Sequence, residues 1–502
     1  MASSSRVAKF VVLCMTLCVM NPVAAQQAMD PSALRQQMIA AQGKPPDQYR
    51  EEIMTISSST GTFLRREYHR GIDVRVVSGA GPYQRQSGRI EGRDWDQDAN
   101  GITTIHDALP PEDRIGERRV TVTRVNLPVA SWRFADLDAQ GYGTIQYVDP
   151  STYHVVRTDA VSSTGTVTTV YDDFRTVSGY TAPYHWISDD TTTGDHSDAN
   201  MITFQSTTIT DANLAIPPSR DFVVFPAGGA PVTLPTNFNP PHIVVQVSIG
   251  ERTLKFLLDT SSPGITLDAN VAQSLGLVNN TQTLLANARR TGAQAVIPEM
   301  RVGDLTMHNV VATLGPVAAN QQIDSQSVGT LGYDFLRSAT ITIDFPNRRV
   351  TASPSNAFTA PVMTPDSDIL PLHVVDHRPV VSVTLNNTVA QRMVLDTGAG
   401  ADLILFDYFT RRYPELFTQK AATSEDPVLY SGAKEPDAKG YRMEEIHFGR
   451  YEFKGFDIVS MSGLKTYPAE TDGLFGPGFF EHFSTSLDLA GGKLYLVHKP
   501  GQ

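Results

Sequence analysis

Two aspartates, Asp259 and Asp396, have the surroundings in this sequence that most strongly indicate chemistry. Each follows an apolar run, residues 256–258 or 393–395, that is typical of a buried strand. Each is followed by small, turn-forming residues and then by a second apolar run. A carboxylate at the end of a hydrophobic strand is destabilising unless it is hydrogen-bonded or its pKa moves. The pattern therefore favours a functional role for both aspartates.

A pair of neighbouring carboxylates can hydrolyse an amide. Two carboxylates that lie close together share one proton, because their negative charges repel each other. The ionised member can act as a general base on a water held between them, and the protonated member can donate to the substrate carbonyl oxygen. If two halves of the chain pack about a twofold axis, Asp259 and Asp396 can meet in this way. Such a pair needs neither a metal nor a covalent intermediate.

The elements that would position these aspartates form an internal repeat. A strand-like apolar stretch precedes each aspartate at a matching distance, and an apolar-apolar-glycine segment follows each one. From that glycine to the next aspartate is 12 positions in both units, Gly332 to Asp344 and Gly476 to Asp488. The repeat predicts two copies of one mostly-β lobe with a linker between them: residues 242–355, residues 370–498, and the linker 356–369.

These motifs resemble those of the pepsin and retropepsin-like aspartic proteases. Residues 396–398 read Asp-Thr-Gly after an apolar run, and residues 259–261 read Asp-Thr-Ser at the equivalent place. The resemblance covers residues 242–498, about half of the chain. It implies a bilobal, mostly-β protease domain that is active as a monomer on a polypeptide substrate. It also implies that Asp259 and Asp396 are the catalytic pair.

The resemblance assigns further residues to the support of the two acid loops. Thr260 and Thr397 would brace the loops against each other by hydrogen bonds. The segments that end in Gly332 and Gly476 would thread beneath the loops.

Three small residues would shape the immediate surroundings of the carboxylates. Gly398, and Ser261 opposite it, would let the backbone approach closely, and Ser262 could hydrogen-bond the outer oxygen of Asp259. Ser261 departs from the glycine of the common pattern, which adds a Cβ and a hydroxyl beside the pair. Two glycine-containing stretches are candidates for a hairpin that covers the substrate: residues 289–293 and 430–434.

The first part of the chain predicts a separate antiparallel sheet domain over residues 26–225. A polar helical lead-in reaches about residue 55, and alternating Thr-, Val- and Tyr-rich stretches with frequent turns follow. Short motifs at residues 147–150 and 172–179 resemble those of periplasmic lipoprotein-carrier (LolA-like) half-barrels, which implies an apolar concave face. The Pro- and Gly-rich residues 226–241 predict a linker.

Two weaker patterns favour structural interpretations, so no metal and no cofactor is predicted. Residues 96–101 resemble the opening of a calcium loop, but their strand-like surroundings favour a solvated hairpin turn. His373 and His377 are four positions apart, but Pro371 and Pro379 argue against a helix that would hold them together. We interpret this pair as part of the connection between the lobes.

The N-terminus predicts export to the periplasm or the outside medium. Arg6 and Lys9 precede an apolar run that ends in small residues, so residues 1–25 are predicted to be a signal peptide. Both cysteines, Cys14 and Cys18, lie within it, so no disulfide is predicted in the mature chain. The formal charge of −12 and the lack of a basic run argue against nucleic-acid binding. No other stretch is apolar and long enough to predict a transmembrane segment.

The sequence supports one principal function and leaves two alternatives open. The principal hypothesis is an aspartic endopeptidase that activates a water between Asp259 and Asp396. The first alternative is a non-catalytic carrier or peptide-binding protein that keeps a degenerate protease scaffold. The second is a self-processing enzyme whose N-terminal domain blocks the cleft until it is cut near residues 225–241.

Overall fold

The computed structural model describes most of the chain from residue 29 to residue 498. The predicted signal peptide and both candidate covering hairpins lie mainly or wholly outside the described residues. The described range is interrupted at these places: residues 44–48, 59–60, 107–117, 127–128, 163, 193, 279–292, 316, 420–436, 465–466, 469 and 482.

The N-terminal domain is a long antiparallel meander. Its 13 strands form one sheet in the order β6-β5-β4-β3-β2-β1-β13-β12-β11-β10-β9-β8-β7. Neighbouring strands are consecutive in the chain everywhere except at the β1–β13 pair, and β6 and β7 lie at opposite edges of the sheet. The strands are β1 (Tyr49–Ser58), β2 (Gly61–Arg70), β3 (Asp73–Ser78), β4 (Arg85–Ile90), β5 (Arg93–Gln97), β6 (Thr103–Ile105), β7 (Arg119–Val125), β8 (Ser131–Leu137), β9 (Gly143–Val148), β10 (Val155–Val161), β11 (Thr166–Val177), β12 (Tyr180–Asp190) and β13 (His196–Ser206).

One helix packs on this sheet and supplies its small core. Helix α1 (Pro31–Gln42) begins at Asp30, whose side chain accepts a hydrogen bond from the Ser32 amide at 3.2 Å. Leu34 is fully buried beneath the helix against Trp132, Phe134 and Val148. The predicted lead-in is therefore helical only up to residue 42, and the first strand begins before residue 55. A second short helix, α2 (Asp211–Leu214), follows the last strand.

The predicted linker contains two strands that join the sheets of the C-terminal half. Strand β14 (Val232–Thr233) pairs with a later strand at residues 351–352, and β15 (Thr236–Asn239) pairs with the first strand of lobe 1. Val232 and Leu234 are buried in the core. The segment is therefore tied into the C-terminal half by hydrogen bonds and by burial.

Lobe 1 closes six strands into a small barrel. The order is β16-β17-β21-β18-β20-β19, and an additional β16–β19 pairing closes it. The elements are β16 (His242–Ile249), β17 (Arg252–Leu258), β18 (Thr266–Asp268), α3 (Ala269–Ser274), β19 (Gln294–Val302), β20 (Leu305–Gly315), α4 (Ala318–Ile323), β21 (Ser327–Leu331), α5 (Tyr333–Arg337), β22 (Thr340–Asp344) and β23 (Arg349–Ser353).

Lobe 2 repeats this strand order. Its barrel runs β26-β27-β31-β28-β30-β29 and is closed by a β26–β29 pairing. The elements are β24 (Ser367–Pro371), β25 (His373–Val375), β26 (Arg378–Leu385), β27 (Thr388–Leu395), β28 (Leu403–Phe406), α6 (Asp407–Thr410), β29 (Lys439–Phe448), β30 (Tyr451–Met461), β31 (Gly473–Phe475), β32 (Phe483–Asp488) and β33 (Lys493–His498). Three 3₁₀ turns complete the described elements: Gly81–Tyr83, Pro414–Leu416 and Pro477–Phe480.

A six-stranded sheet joins the two lobes. Its order is β14-β23-β22-β32-β33-β24, and the antiparallel β22–β32 pair lies at its centre. The Thr342 and Ser486 hydroxyls are hydrogen-bonded across this pair at 2.8 Å. One continuous hydrophobic core runs through both barrels. The predicted duplication is confirmed, and the fold is mostly β with two lobes behind an antiparallel sheet domain.

The hairpin turn at residues 96–101 connects the N-terminal domain to lobe 1. The turn exists, because the Gly101 amide donates to the Asp98 carbonyl at 3.1 Å, but the prediction that it is solvated is wrong. Asn100 is 2 % exposed, and its amide group donates to Asp334 at 2.7 Å and to the Val311 carbonyl at 3.0 Å. Docking against lobe 1 excludes water from a turn that would be exposed in an isolated sheet.

The connection between the lobes also contacts the N-terminal domain. His377 lies in the turn between β25 and β26, and its Nε2 is 2.6 Å from Asp96 Oδ2. The second Asp96 oxygen lies 2.6 Å from Nε2 of His106. The predicted linker residue is therefore part of a hairpin held by a carboxylate of the other domain. Within the described range, no helix has the length and apolar character needed to span a bilayer.

Candidate active site

The two acid loops leave equivalent strands of the two barrels. Asp259 follows β17 and Asp396 follows β27, and each of these strands pairs in parallel with the strand that ends one residue before the downstream glycine. The Asp259 amide donates to the Leu331 carbonyl at 3.1 Å, and the Asp396 amide donates to the Phe475 carbonyl at 2.9 Å. Both downstream segments lie directly beside the acid loops.

Reciprocal hydrogen bonds of two threonines hold the loops together. The Thr260 hydroxyl donates to the Leu395 carbonyl at 2.6 Å, and the Thr397 hydroxyl donates to the Leu258 carbonyl at 2.8 Å. Each hydroxyl also accepts the other threonine's amide, at 3.1 Å and 3.0 Å. Both threonines are buried. Four hydrogen bonds related by approximate twofold symmetry therefore fix the position of one acid loop on the other.

Each carboxylate accepts a hydrogen bond from its own loop. The Gly398 amide donates to Asp396 Oδ1 at 2.9 Å. Both the amide and the hydroxyl of Ser261 donate to Asp259 Oδ1, each at 2.8 Å. Oδ1 of Asp259 therefore accepts two hydrogen bonds from its own loop, whereas Oδ1 of Asp396 accepts one. The additional donor is the hydroxyl group that distinguishes Ser261 from glycine.

Close packing explains the glycines at three of the predicted positions. A Cβ on Gly398 would lie 2.9 Å from the Asp259 carboxyl carbon. On Gly332 it would lie 2.4 Å from the Gly264 carbonyl oxygen, and on Gly476 2.1 Å from the Ala401 carbonyl oxygen. Gly398 also shows that the two acid loops touch, since its own loop lies against the carboxyl group of the opposite lobe.

Asp396 is in surroundings that favour its neutral form. It is 3 % exposed, and burial followed by the nearby charge of Asp259 raises its pKa from 3.8 to about 7. The bonds from Gly398, Ser261 and Tyr467 oppose this rise without cancelling it. A carboxyl group that keeps its proton up to near-neutral pH is suited to act as a general acid.

Tyr467 completes the site and was not predicted from the sequence. Its hydroxyl lies 2.9 Å from Asp396 Oδ2 and 3.1 Å from Ser261 Oγ. The ring packs edge-on against Phe406 with centroids 5.8 Å apart. It stands in the loop between β30 and β31 and not in either stretch proposed to cover the substrate. A tyrosine shortly before the apolar-apolar-glycine segment is the signal that could have found it.

Two further residues differ from or add to the predicted site. The Ser262 hydroxyl donates to the Gly264 carbonyl at 2.9 Å, so it bonds within its own turn and is not the predicted partner of Asp259.

Nε2 of His242 lies 3.1 Å from the Ala399 carbonyl oxygen. Burial lowers the pKa of His242, which favours the neutral ring. This histidine at the start of β16 therefore supports the opposite acid loop.

One group of side chains elsewhere has the composition of a metal site. Glu52, Glu67 and His69 on β1 and β2 have ligand atoms within 4.8 Å of one another. Arg50 lies 2.6 Å from Glu52, and Arg65 lies 2.7 Å from Glu67. Because both carboxylates are already ion-paired, we assign this cluster a structural role in the sheet.

One protein family matches part of lobe 1. Residues 245–335 match the aspartyl protease family. A search among curated protein sequences gives no match.

Solved structures resemble each half of the chain separately. A LolA superfamily protein from Nitrosomonas europaea is 11 % identical, with a TM-score of 0.29, over 38 % of this chain and 98 % of its own. A retropepsin-like aspartic protease from Rickettsia conorii is 19 % identical, with a TM-score of 0.18, over 26 % of this chain and 90 % of its own. Basic 7S globulin from soybean is 12 % identical, with a TM-score of 0.34, over 53 % of this chain and 96 % of its own.

Proposed function

We propose that this chain is an aspartic endopeptidase whose catalytic residues are Asp259 and Asp396. The observation that carries the proposal is the reciprocal brace of Thr260 and Thr397, which joins the two acid loops by four hydrogen bonds. A structural aspartate would not require two separate lobes to be fixed to each other at this point. The aspartyl protease family match over residues 245–335 supports the same conclusion.

The proposed reaction uses the two carboxyl groups in opposite protonation states. The ionised aspartate takes a proton from a water as its oxygen attacks the peptide carbonyl carbon, and the neutral aspartate gives its proton to the carbonyl oxygen. The tetrahedral intermediate then returns a hydroxyl proton to the second aspartate. The first aspartate gives its proton to the departing nitrogen as the C–N bond breaks. The pair recovers its starting state without any net change in protons.

The test is cleavage of a denatured protein by the full-length chain from acidic to neutral pH. Asp396→Asn keeps the size of the side chain but removes the acid, and we expect it to abolish cleavage. Asp457→Asn is the matched control, because Asp457 is an exposed partner of Arg442 in the same lobe. Cleavage that persists in Asp396→Asn and is insensitive to Asp259→Asn would refute the assignment.

A second candidate function, a carrier for an apolar ligand, is favoured by a cavity in the N-terminal domain. The cavity has a volume of about 310 Å³ and lies between α1 and the sheet. Its apolar lining residues are Met38, Ile39, Tyr153, Val155 and Phe174, and polar side chains such as Arg35 and Gln146 also line it. A fluorescent fatty acid is the probe. Binding that is lost in Ile39→Asp and retained in the surface variant Ile72→Asp would support a carrier role for this domain.

The self-processing alternative is less compatible with the structure. A cut near residues 225–241 would fall in the segment that supplies β14 and β15, and Val232 and Leu234 are buried there. Proteases cut exposed, flexible segments more readily than paired strands. We therefore propose that the N-terminal domain stays attached as a permanent part of an exported protein. A time-dependent cut in this segment that is lost in Asp396→Asn would reverse this conclusion.

A further inference from the structure

The start of α5 runs along the acid loop of lobe 1, residues 259–265. The Tyr333 amide donates to the Ser262 carbonyl at 2.9 Å. The Asp334 carboxyl group accepts a hydrogen bond from the Ile265 amide, at the end of the loop. It also lies against Gly264, because a Cβ there would be 3.1 Å from Asp334 Oδ2. Asp334 is only 4 % exposed, so the end of this acid loop rests on a buried carboxyl group.

The hairpin of β5 and β6 in the N-terminal domain binds the same segment from its other side. The Thr104 and Tyr333 hydroxyls are hydrogen-bonded at 2.9 Å, and both residues are buried. The Asn100 amide nitrogen donates to Asp334 Oδ2 at 2.7 Å and to the Val311 carbonyl at 3.0 Å. Asn100 Oδ1 accepts the Val311 amide at 2.7 Å. Because that amide can only donate, it fixes the orientation of the Asn100 side chain.

Asn100 therefore supports Ile265 of the acid loop from two directions. Through Asp334 it supports the Ile265 N–H group. Through β20 it supports the Ile265 carbonyl, because the Thr313 amide, two residues after Val311, donates to this carbonyl at 2.9 Å. A single side chain of the N-terminal domain thus stands behind both backbone bonds at the end of the loop.

A second polar residue of the hairpin, Asp98, meets Asp334 across the domain boundary. Asp98 Oδ1 accepts the Ile102 amide at 2.9 Å, whereas its buried Oδ2 has no N–H donor among the described residues. Asp98 and Asp334 are hydrogen-bonded to each other, and two carboxyl groups form such a bond only when one of them is protonated. Burial, followed by the charge of Asp98, raises the pKa of Asp334 well above its usual value. Asp334 is therefore the donor and Asp98 the acceptor.

We propose that Asn100 and Asp98 are positioning residues for the catalytic Asp259. They bind the carboxyl group that holds the end of its acid loop, so the N-terminal domain becomes part of the support of the active site. This inference rests on the proposed function and goes beyond it. In lobe 2 the two residues after the downstream glycine, Pro477 and Gly478, have no polar side chain. They cannot form such bonds, so this support is specific to the acid loop of lobe 1.

The bond between Asp98 and Asp334 depends on pH. Because the pKa of Asp334 is raised, the bond contributes fully below the ordinary pKa of 3.8 and is lost as the pH rises through the raised value. Burial lowers the pKa of His377, but the bond to Asp96 outweighs this, so its proton is also lost above the ordinary value. The titratable and charged groups that share this boundary are Arg85, Asp96, His106, Tyr333, Arg337, Asp376 and His377.

Asn100→Asp tests the positioning role with little change of shape. It replaces the amide donor to Asp334 with a carboxylate oxygen, so the end of the acid loop should lose its support. At neutral pH, kcat on one peptide substrate should fall at least about tenfold while KM stays within about twofold. Part of the loss should be recovered at acidic pH, where the new carboxyl group takes up a proton. Asn200→Asp, at an exposed bond to Asp198 in the same domain, should leave kcat unchanged.

Amide hydrogen exchange of the full-length chain provides a readout that does not depend on activity. In Asn100→Asp, the amides of residues 259–268 should exchange at least about tenfold faster. The equivalent residues 396–405 in lobe 2 are the internal control and should be unchanged. Thermal unfolding of each variant reports whether it is folded.

Asp98→Asn tests the proton-dependent bond separately and removes no hydrogen bond. The new amide group can donate to an ionised Asp334, so the contact no longer needs a shared proton. In the wild type, exchange of residues 259–268, corrected for the intrinsic effect of pH, should increase as the pH rises. In Asp98→Asn this increase should move up by at least about one pH unit. The other titratable groups of the boundary are kept, so the difference from wild type isolates this bond.

The outcomes separate the positioning role from the protease assignment. If the wild-type chain cleaves protein but Asn100→Asp leaves kcat and the exchange of residues 259–268 unchanged, the positioning role is refuted and the protease assignment stands. Equal increases of exchange in both acid loops would also refute it, because the variant would then only weaken the fold. An unchanged pH dependence in Asp98→Asn would refute the role of Asp98. If no protein is cleaved but exchange changes as expected, the support of the loop stands and the protease assignment fails.

Discussion

The two lobes share one frame of strands but support their acid loops with different polar side chains. Both barrels have the same strand order, and the two threonines exchange equivalent hydrogen bonds. In lobe 2 the loop amide beside the carboxylate belongs to Gly398, whereas in lobe 1 it belongs to Ser261, whose hydroxyl adds a bond. The frame fixes where the aspartates meet, and the small residues beside them make the two carboxyl groups unequal.

Each lobe also has a buried carboxylate near its acid loop, and the two lobes support these carboxylates with different partners. Asp472, next to the start of β31, is in contact with the Arg412 guanidinium, and both side chains are at most 2 % exposed. Asp334, just after β21, accepts from the Asn100 amide of the N-terminal domain at 2.7 Å, and no arginine among the described residues bonds to it. Burial and Asp98 raise the pKa of Asp334 well above its usual value, which favours a neutral acid. Lobe 2 therefore satisfies its buried acid internally, whereas lobe 1 uses another domain.

The largest effect on activity should come from removing the catalytic aspartate that each lobe supplies. Asp259→Asn and Asp396→Asn should each lower kcat by at least about a thousandfold, because each removes one half of a proton-transfer pair. The double variant should be no worse than either single one, since the two groups act as a unit. Steady-state kinetics on one peptide substrate would measure this. Activity within tenfold of wild type in one single variant would mean that only one lobe supplies a catalytic group.

Arg412→Ala tests the internal support of lobe 2. Burial raises the pKa of Asp472 to about 7, and the variant leaves this carboxyl group buried without its guanidinium, which should lower the free energy of unfolding by about 4 kcal/mol. Arg442→Ala breaks an exposed pair with Asp457 at 2.7 Å in the same lobe and should cost less than about 1 kcal/mol. Urea unfolding followed by far-UV circular dichroism would compare the two variants. Equal costs would show that the buried pair contributes no more than a surface pair.

Asn100→Ala tests the external support of lobe 1. Asn100 bonds both Asp334 and the backbone of Val311, so its removal leaves buried groups without partners and should cost about 3 kcal/mol. The control is Asn200→Ala, which breaks an exposed bond to Asp198 on the sheet and should change stability by less than about 0.5 kcal/mol. If Asn100→Ala were as mild as this control, the N-terminal domain would not stabilise lobe 1.

The smallest of these effects should come from exchanging the residues beside the carboxylates. Gly398→Ala places a Cβ 2.9 Å from the Asp259 carboxyl carbon, and the resulting displacement should cost about 2 kcal/mol. Ser261→Gly loses only a hydroxyl and should cost about 1 kcal/mol. Thermal unfolding at a fixed pH would rank the two. The reverse order would mean that the serine hydroxyl, and not close packing, sets the geometry of the pair.

Sequence patterns were sufficient for the features that depend on local spacing. The duplication could be predicted because a closed barrel requires apolar strands at set intervals along the chain. Gly332 and Gly476 could be predicted because close packing at these two positions excludes a Cβ. The roles of Thr260 and Thr397 followed from a resemblance carried by a short motif. The antiparallel sheet of the N-terminal domain and the helix before it were also predicted correctly, although not their exact bounds. The alternation of apolar and polar residues in strands and the capping of helices both depend on neighbouring residues.

Only the tertiary structure decided which distant side chains complete these motifs. Tyr467 is 206 positions from Ser261 and 71 from Asp396, and the turn at Asn100 is 234 positions from Asp334. Nothing in the local sequence of a tyrosine or an asparagine indicates which partner it will meet. The sequence therefore determined that two aspartates lie on matching loops. The packing of three separately predicted units determined how each aspartate is hydrogen-bonded, because burial and proximity arise only when those units come together.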